Sequence, residues 1–278
     1  MTLSEVLQQG EMRLEAAGIE ESKINAWYLF SHCFRIDRSR YFLQKEEEAD
    51  SELEAAYENL LEQRAKRVPL EYITHETEFM GLPFYVDEHV LIPRQDTECL
   101  VEEVLPFCQG KDVLDLCTGS GCIGISLAAL GKCKSVTLAD ISSKALAVAE
   151  RNATSNNVLV TLIQGNLFEN IKNDYDIIVS NPPYIPTKVV EELMPEVKDY
   201  EPRLALDGAE DGLLFYKSII LESRRFLREN GRLMFEIGYD QGEAVSRLMK
   251  ESGFTQVEIK KDLAGLDRIV EGQLCLIS

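Results

Sequence analysis

No run in this sequence approaches 18 consecutive apolar residues, so a membrane-crossing helix is not expected. The opening Met1–Glu5 is acidic and amphipathic rather than a basic stretch leading into an apolar one, and a secretory signal is not expected either. Basic residues are scarce: 29 Lys and Arg stand against 48 Asp and Glu, with three His, for a formal charge of −19. Affinity for phosphate-rich surfaces comes from neutralising cations, so this balance argues against direct DNA binding or adhesion to anionic membrane. The seven cysteines are odd in number, scattered and mostly set in apolar segments, which excludes a disulfide framework and favours reduced thiols in a cytoplasmic setting. Cys117, Cys122 and Cys133 lack Cys or His partners at zinc spacing, so no metal site is expected. What is present is an ordinary globular composition, 45% hydrophobic and 28% charged over 278 residues. That length fits two modest domains, or one large α/β domain with an appendage.

The first 70 residues read as short helices. Thr2-Leu3-Ser4-Glu5 has capping-box spacing ahead of Val6, Leu14 and Ile19, and Gly18 signals a stop. A second helix is expected over about Glu20 to Phe34, carrying Ile24, Trp27, Tyr28 and Phe30. A third starts at Asp50-Ser51, with Leu53, Tyr57, Leu60 and Leu61 on one face, and ends before Pro69. The Glu46–Glu48 run reads as a solvated face. Residues 71–95 resemble a hairpin linker, and Thr97 is expected to cap a helix running to about Phe107. From Lys111 onward strands and helices alternate, the pattern of a mostly parallel sheet. Strands are expected at Val113–Cys117, Ser135–Ala139, Leu159–Ile163, Ile177–Ser180, Leu233–Ile237, Thr255–Ile259 and Ile269–Leu276. Helices are expected at Cys122–Leu130, Lys144–Asn152, Leu213–Arg228 and Gln241–Ser252. The last two strands are joined by too short a segment for a helical crossover, so they should pair antiparallel. The fold class is therefore α/β: a seven-stranded Rossmann-like sheet with its last strand antiparallel, preceded by a small helical bundle.

Chemistry concentrates at two places. In Asp115-Leu116-Cys117-Thr118-Gly119-Ser120-Gly121 a strand runs into a glycine-rich turn and then a helix, where backbone can approach a ligand closely. Gly119-x-Gly121-x-x-Gly124 satisfies the dinucleotide fingerprint, and Asp140 at the end of the next strand is placed to accept hydrogen bonds from both ribose hydroxyls. Asp115 separates two cofactor classes. A carboxylate before the turn suits a cationic amino-acid moiety, directly or through water, and sits badly beside an anionic pyrophosphate. No Lys or Arg occurs from Val113 to Leu130. S-adenosylmethionine, which has no phosphate, is favoured over a nicotinamide dinucleotide.

The second place is Asn181-Pro182-Pro183-Tyr184, at the carboxyl end of the fourth strand, where open α/β sheets bind ligands. The prolines lack N–H donors, fix φ and hold Asn181 extended, leaving a rigid turn with available acceptors. Such a pair suits a planar NH₂ group whose lone pair is delocalised. If the Asn181 side-chain oxygen and the Pro182 carbonyl each accept one N–H, the nitrogen is held for attack on an electrophilic methyl. Tyr184 could stack on the flat group. No base is needed first, because the proton leaves after transfer.

Together these stretches resemble class I methyltransferases of the amino-group type, and across nearly the whole chain the peptide chain release factor glutamine N5-methyltransferases, the HemK/PrmC family. The resemblance extends to Pro69–Ile73, Phe79–Leu82, Leu91–Glu98, Glu201-Pro202, Ala205-Leu206, Asp211–Leu213, Glu236–Gly238 and Asp262–Arg268. It implies a domain order of 1–70 for helical substrate recognition, 71–95 for the linker and 96–278 for the methyltransferase. It implies a cofactor loop at Cys117–Gly121, ribose recognition by Asp140, and contributions from Asp115, Asn166, Leu167 and Asn181 to S-adenosylmethionine and its product S-adenosylhomocysteine. It also implies a glutamine gripped by Asn181–Tyr184 and a class 1 release factor as partner; the sequence does not give the oligomeric state, for which a monomer is the expectation. Three places depart from the family pattern. Cys117 and His75 stand where glycine is frequent, the first tolerable if its backbone is extended, and Asn166-Leu167 stand for an Asp and an aromatic. The same tetrapeptide also serves enzymes that methylate base amino groups in DNA or RNA, but these add basic target-recognition modules. Two further readings are methylation of a glutamine in a ribosomal protein and a non-catalytic cofactor-binding scaffold; the intact tetrapeptide argues against the scaffold.

Overall fold

Thr2 opens the first helix as its spacing requires: its hydroxyl accepts the Glu5 N–H at 3.2 Å, and the Glu5 carboxylate accepts the Thr2 N–H at 2.9 Å. The computed structural model describes residues 1–275, so the end of the strand expected at Ile269–Leu276 lies partly outside the described residues. The chain divides into two compact units, one of residues 1–75 with 194–200, the other of 76–193 with 201 onward.

The first unit contains α1 (Leu3–Ala16), α2 (Ser22–Phe34), α3 (Arg38–Gln44), α4 (Ser51–Ala65) and α5 (Leu70–Thr74). Asp50 caps α4 as expected, accepting the N–H groups of Glu52 and Leu53 at 2.8 and 3.2 Å. Helix α3 has no counterpart among the helices expected from sequence. Its cap Asp37 accepts the Arg40 N–H at 2.8 Å, but seven residues are too few for a full apolar period. Trp27, Phe30, Tyr57 and Leu61 enter the core, whereas Ile24, Tyr28 and Leu53 point outward. Gly10 lets α1 pass Tyr57, since a Cβ there would stand 2.1 Å from the phenol oxygen. The distant segment Met194–Tyr200 belongs to this unit through Glu196. That carboxylate accepts from Arg64 at 3.1 Å and Arg67 at 3.2 Å, and Tyr200 donates to the Lys66 carbonyl at 2.6 Å.

The second unit starts with a short antiparallel hairpin, β1 (Thr77–Phe79) and β2 (Leu82–Phe84), followed by α6 (Gln95–Val104). Thr97 does not cap α6. The helix begins at Gln95 with Arg94 in the cap position, which leaves Thr97 inside the first turn, 2% exposed. The main sheet comprises β3 (Asp112–Leu116), β4 (Ser135–Asp140), β5 (Thr161–Gln164), β6 (Tyr175–Ser180), β7 (Leu227–Glu236), β8 (Phe254–Lys261) and β9 (Asp267–Leu274). Its order is β5-β4-β3-β6-β7-β9-β8, parallel except that β9 runs antiparallel to both β7 and β8. The seven-stranded sheet with a reversed final strand is therefore as expected. Between the strands lie α7 (Cys122–Leu130), α8 (Ser143–Ser155), α9 (Leu214–Ser223) and α10 (Gly242–Glu251). The helix expected over Leu213–Arg228 stops at Ser223 because Leu227 already pairs with Tyr175 in the sheet. Arg228 then bridges Asp112 and Asp176 at 2.8 and 2.6 Å. One apolar core fills each face of the sheet, with Leu100, Ile125 and Leu138 in the first and Leu114, Tyr216 and Phe235 in the second.

Candidate active site

The strand order reverses between β3 and β6, and a crevice opens there at the strands' carboxyl ends. Register pairs Leu116 with Ser180, so the chain leaves the two strands side by side, into Cys117–Gly121 on one and Asn181–Tyr184 on the other. A cavity of about 330 Å³ lies over both.

The glycine turn is built by its own hydrogen bonds. Thr118 N–H reaches the Ala139 carbonyl at 3.1 Å, and Gly121 N–H reaches the Thr118 carbonyl at 2.8 Å. Gly119 and Gly121 have φ of +54° and +82°, and a Cβ on Gly121 would meet Ile125 at 2.7 Å. Cys117 does not meet the condition set by its sequence: its backbone is left-handed, with φ +62°, not extended. Leu167 and His75 share that region, with φ +51° and +58°. Cys117 and His75, where the resembling family often has glycine, thus both carry a side chain on left-handed backbone.

Asp140 accepts the Gly119 N–H and the Ser142 N–H, each at 2.9 Å. Two of the four lone-pair sites of a carboxylate remain for a ligand. Burial raises its pKa, and the backbone donors oppose that rise. Cys117, Thr118, Gly119, Ser120, Asp140, Asn166 and Leu167 all line the cavity, as do Asn181 and Pro183. Pro182 is buried between the last two.

Three other expected residues, Gly121, Asp115 and Tyr184, stand apart from that lining. Asp115 is fully buried under the turn, where one oxygen accepts from Thr118 Oγ1 at 2.6 Å and Gly124 N–H at 2.9 Å. Its second oxygen has no hydrogen-bond partner among the described residues, and burial pushes its pKa up to about 7. Tyr184 packs against the core on the Tyr216 face, and its hydroxyl donates to Glu236 Oε1 at 3.3 Å. The ring is thus engaged behind the tetrapeptide, not on the cavity's lining where stacking on a flat group was expected.

Several site residues carried no recognisable local signal. Asn152, fully buried on α8, donates to the carbonyls of Ser120 at 2.9 Å and Tyr85 at 3.0 Å, and accepts from Tyr85 N–H at 2.7 Å. It thereby ties the glycine turn to the chain after the hairpin. Gln241 donates to the Tyr184 carbonyl at 3.0 Å, and Gly212 keeps that approach open, since a Cβ there would lie 2.3 Å from the carbonyl oxygen. Arg94 joins the buried Glu201 through contacts of 2.6 and 2.8 Å. Short polar side chains acting across the fold have no periodicity to betray them; Gly212, Glu201 and Arg94 stand out in the sequence only as parts of family-like stretches.

The lining holds no lysine, and its one arginine, Arg94, is already neutralised by Glu201. A phosphate would find no free guanidinium or ammonium there, whereas the acidic, glycine-lined crevice fits a cationic nucleoside without phosphate.

Residues 5–74 match the PrmC N-terminal domain and residues 95–197 the methyltransferase small domain. The chain is 41% identical over 275 residues to a release factor glutamine methyltransferase of Geobacter sulfurreducens, covering 98% of this chain and 97% of that protein. It belongs to the release factor glutamine methyltransferase family. A second member, from Clostridium acetobutylicum, is 41% identical over 260 residues, 91% of this chain and 90% of its own. A Pyrococcus furiosus methyltransferase structure matches with a TM-score of 0.55 at 16% identity, covering 71% of this chain and 91% of that one. The T. thermophilus 16S rRNA N2 G1207 methyltransferase, solved with AdoMet and guanosine, matches at 0.52 and 16% identity, covering 72% and 49%. At such identity these two show the fold alone. As a release factor glutamine methyltransferase family member, the chain is an S-adenosylmethionine-dependent enzyme.

Proposed function

We propose that this protein methylates the side-chain amide nitrogen of a glutamine in the Gly-Gly-Gln loop of a class 1 peptide chain release factor. One observation carries the reading: Asn181 and the prolines after it stand at the β6 terminus, one strand from the Cys117–Gly121 turn. Among the described residues no donor hydrogen-bonds to Asn181 Oδ1 or to the Pro182 carbonyl. Two fixed acceptors are what a planar NH₂ requires.

When bound, S-adenosylmethionine supplies an electrophilic methyl on a sulfonium. The turn residues Thr118–Gly121 offer backbone close to it, Asp140 accepts from its ribose, and Leu167 and Asn166 border its base. Asp115, below the turn, contributes negative potential from within the fold rather than by contact. Asn181 and Pro182 hold the amide nitrogen by its two hydrogens, which leaves its lone pair directed away from them. Gln241 and Glu236 pin Tyr184 from behind, so the acceptors cannot drift. Positioning of this kind is worth roughly 7–11 kcal/mol in well-oriented reactions. Glycines flanking the target would let an exposed loop enter without steric penalty. A lone glutamine offers little contact area, so affinity must come from a wider protein surface, in which we include the helical unit.

The test is to incubate the protein with labelled cofactor and, separately, a release factor, a ribosomal protein, DNA and RNA. Mass spectrometry should find one added methyl on the release factor glutamine, and none when that residue is changed to Glu, which offers no NH₂. Methyl transfer to nucleic acid alone would overturn the reading.

A further inference from the structure

Behind the tetrapeptide lies a buried polar cluster of which the reaction as described uses only the Glu236–Tyr184 contact. Asn181 Nδ2 donates to Thr97 Oγ1 at 3.4 Å, and Thr97 is 2% exposed. The Thr97 hydroxyl stands beside the Glu236 carboxylate and lowers its pKa, against the larger upward effect of burial. Glu236 is also 2% exposed; Oε1 accepts from Tyr184, while Oε2 has no hydrogen-bond partner among the described residues. Arg268, itself joined to Asp96 at 3.0 Å and Asp262 at 3.1 Å, supplies the nearby positive charge. Buried polar groups in such number normally have a reason.

An asparagine amide is nearly symmetric in shape, and its environment decides which end points where. At this site only one end works, because a substrate N–H must meet oxygen. We propose that Thr97 and Glu236 are positioning residues that set the polarity of the Asn181 amide, an inference that rests on the substrate NH₂ reading above. A carboxylate oxygen is an acceptor, so the Thr97 proton turns to Glu236. The Thr97 oxygen is then left as an acceptor and takes an N–H of Asn181. Asn181 Oδ1 is thereby turned to the substrate. The positive charge of Arg268 opposes the effect of burial on Glu236, which gives the Asp262–Arg268 stretch a purpose at a distance from the cavity. Tyr184, donating to the same carboxylate, is held in the same arrangement.

Three variants of the full-length protein test the relay. Thr97→Val keeps the shape and loses the hydroxyl; Thr97→Ser keeps the hydroxyl and loses the methyl. A packing role predicts that Val is tolerated and Ser is not, and the relay predicts the reverse. Expected are a fall in kcat of tenfold or more for Thr97→Val, near-full rescue in Thr97→Ser, and KM for the protein substrate within twofold in both. Glu236→Gln, which can donate as well as accept, should lose kcat by a similar factor without a lower melting temperature. A readout independent of turnover is exchange of the Asn181 side-chain amide protons by nuclear magnetic resonance. These should be protected in wild type and Thr97→Ser and unprotected in Thr97→Val. Equal kcat and equal amide protection in the Val and Ser variants would overturn the relay. A wild-type protein that leaves the release factor unmethylated would instead sink the substrate reading, while the amide exchange still decides the relay.

Discussion

Ser180 donates its hydroxyl to the carbonyl of Leu116 at 2.5 Å, across the parallel ladder that pairs these two residues. Both are buried, and each is the last residue of its strand. The bond fastens the two strand ends from which the glycine turn and the Asn-Pro-Pro-Tyr turn emerge. Distance between those turns is therefore set by sheet spacing, the least compliant dimension of the fold.

Removing the acceptor should separate chemistry from binding. Asn181→Ala should cut turnover by roughly a hundredfold, as loss of substrate orientation does, while calorimetry finds S-adenosylhomocysteine binding little changed. Asn181→Asp keeps an acceptor but puts a negative charge beside the sulfonium, and should also fail. Wild-type turnover in Asn181→Ala would reduce the tetrapeptide to a turn.

In the proposed site Asp140 would serve both the turn and the ligand. Asp140→Ala should weaken cofactor binding by roughly 1.5–3 kcal/mol, the usual range for hydrogen bonds to a charged group. It should also lower the melting temperature of the free protein, because Gly119 and Ser142 lose their acceptor. Unchanged affinity by calorimetry would remove Asp140 from the cofactor site.

At Cys117 the ordinary ranking of alanine over glycine should invert. Both replacements delete the buried thiol, but only glycine is at ease at φ +62°. Cys117→Gly should be more stable than Cys117→Ala by about 1 kcal/mol in urea denaturation. A more stable alanine variant would show that the backbone there is not left-handed in solution.

Asp115 gives the protein a pH signature opposite to that of its surface carboxylates. With its pKa pushed up to about 7 by burial, the folded chain binds this proton more tightly than the unfolded chain. Stability from this group is present at low pH and declines as pH rises from about 4 to about 7, by up to about 4 kcal/mol. Ion-paired Asp112 and Asp176, whose pKa values are lowered, instead lose stability as pH falls. Comparison with Asp115→Asn isolates the effect: the variant should gain on wild type between about pH 4 and 7 and level off above that. Parallel pH curves would mean that the buried carboxylate ionises normally.

Glu196 tests the membership of its segment in the helical unit. Its side chain is 14% exposed and faces Arg64, which is 9% exposed. Glu196→Ala would leave that guanidinium without its carboxylate, and should destabilise the protein by about 3 kcal/mol. A change below 0.5 kcal/mol would show the pair to be no stronger than a surface contact.

Apolar periodicity and turn chemistry alone determined the existence of the seven main strands, the antiparallel end of the sheet, the capping box at Thr2 and the two motifs proposed to carry the reaction. These are properties of neighbours in the chain, where one residue constrains the next through sterics and hydrogen bonding. Tertiary structure decided the rest. Thr97 looked like a cap because a hydroxyl before an apolar helix usually is one, yet the helix starts earlier and the hydroxyl faces Asn181, 84 residues away. Tyr184 looked free to stack on a substrate, but a buried carboxylate from β7 claims its hydroxyl. Cys117 looked tolerable only in extended backbone, but packing holds it left-handed. Polar partners of this kind meet only when strands far apart in sequence lie side by side, and a hydrogen bond leaves no trace in the spacing of either residue.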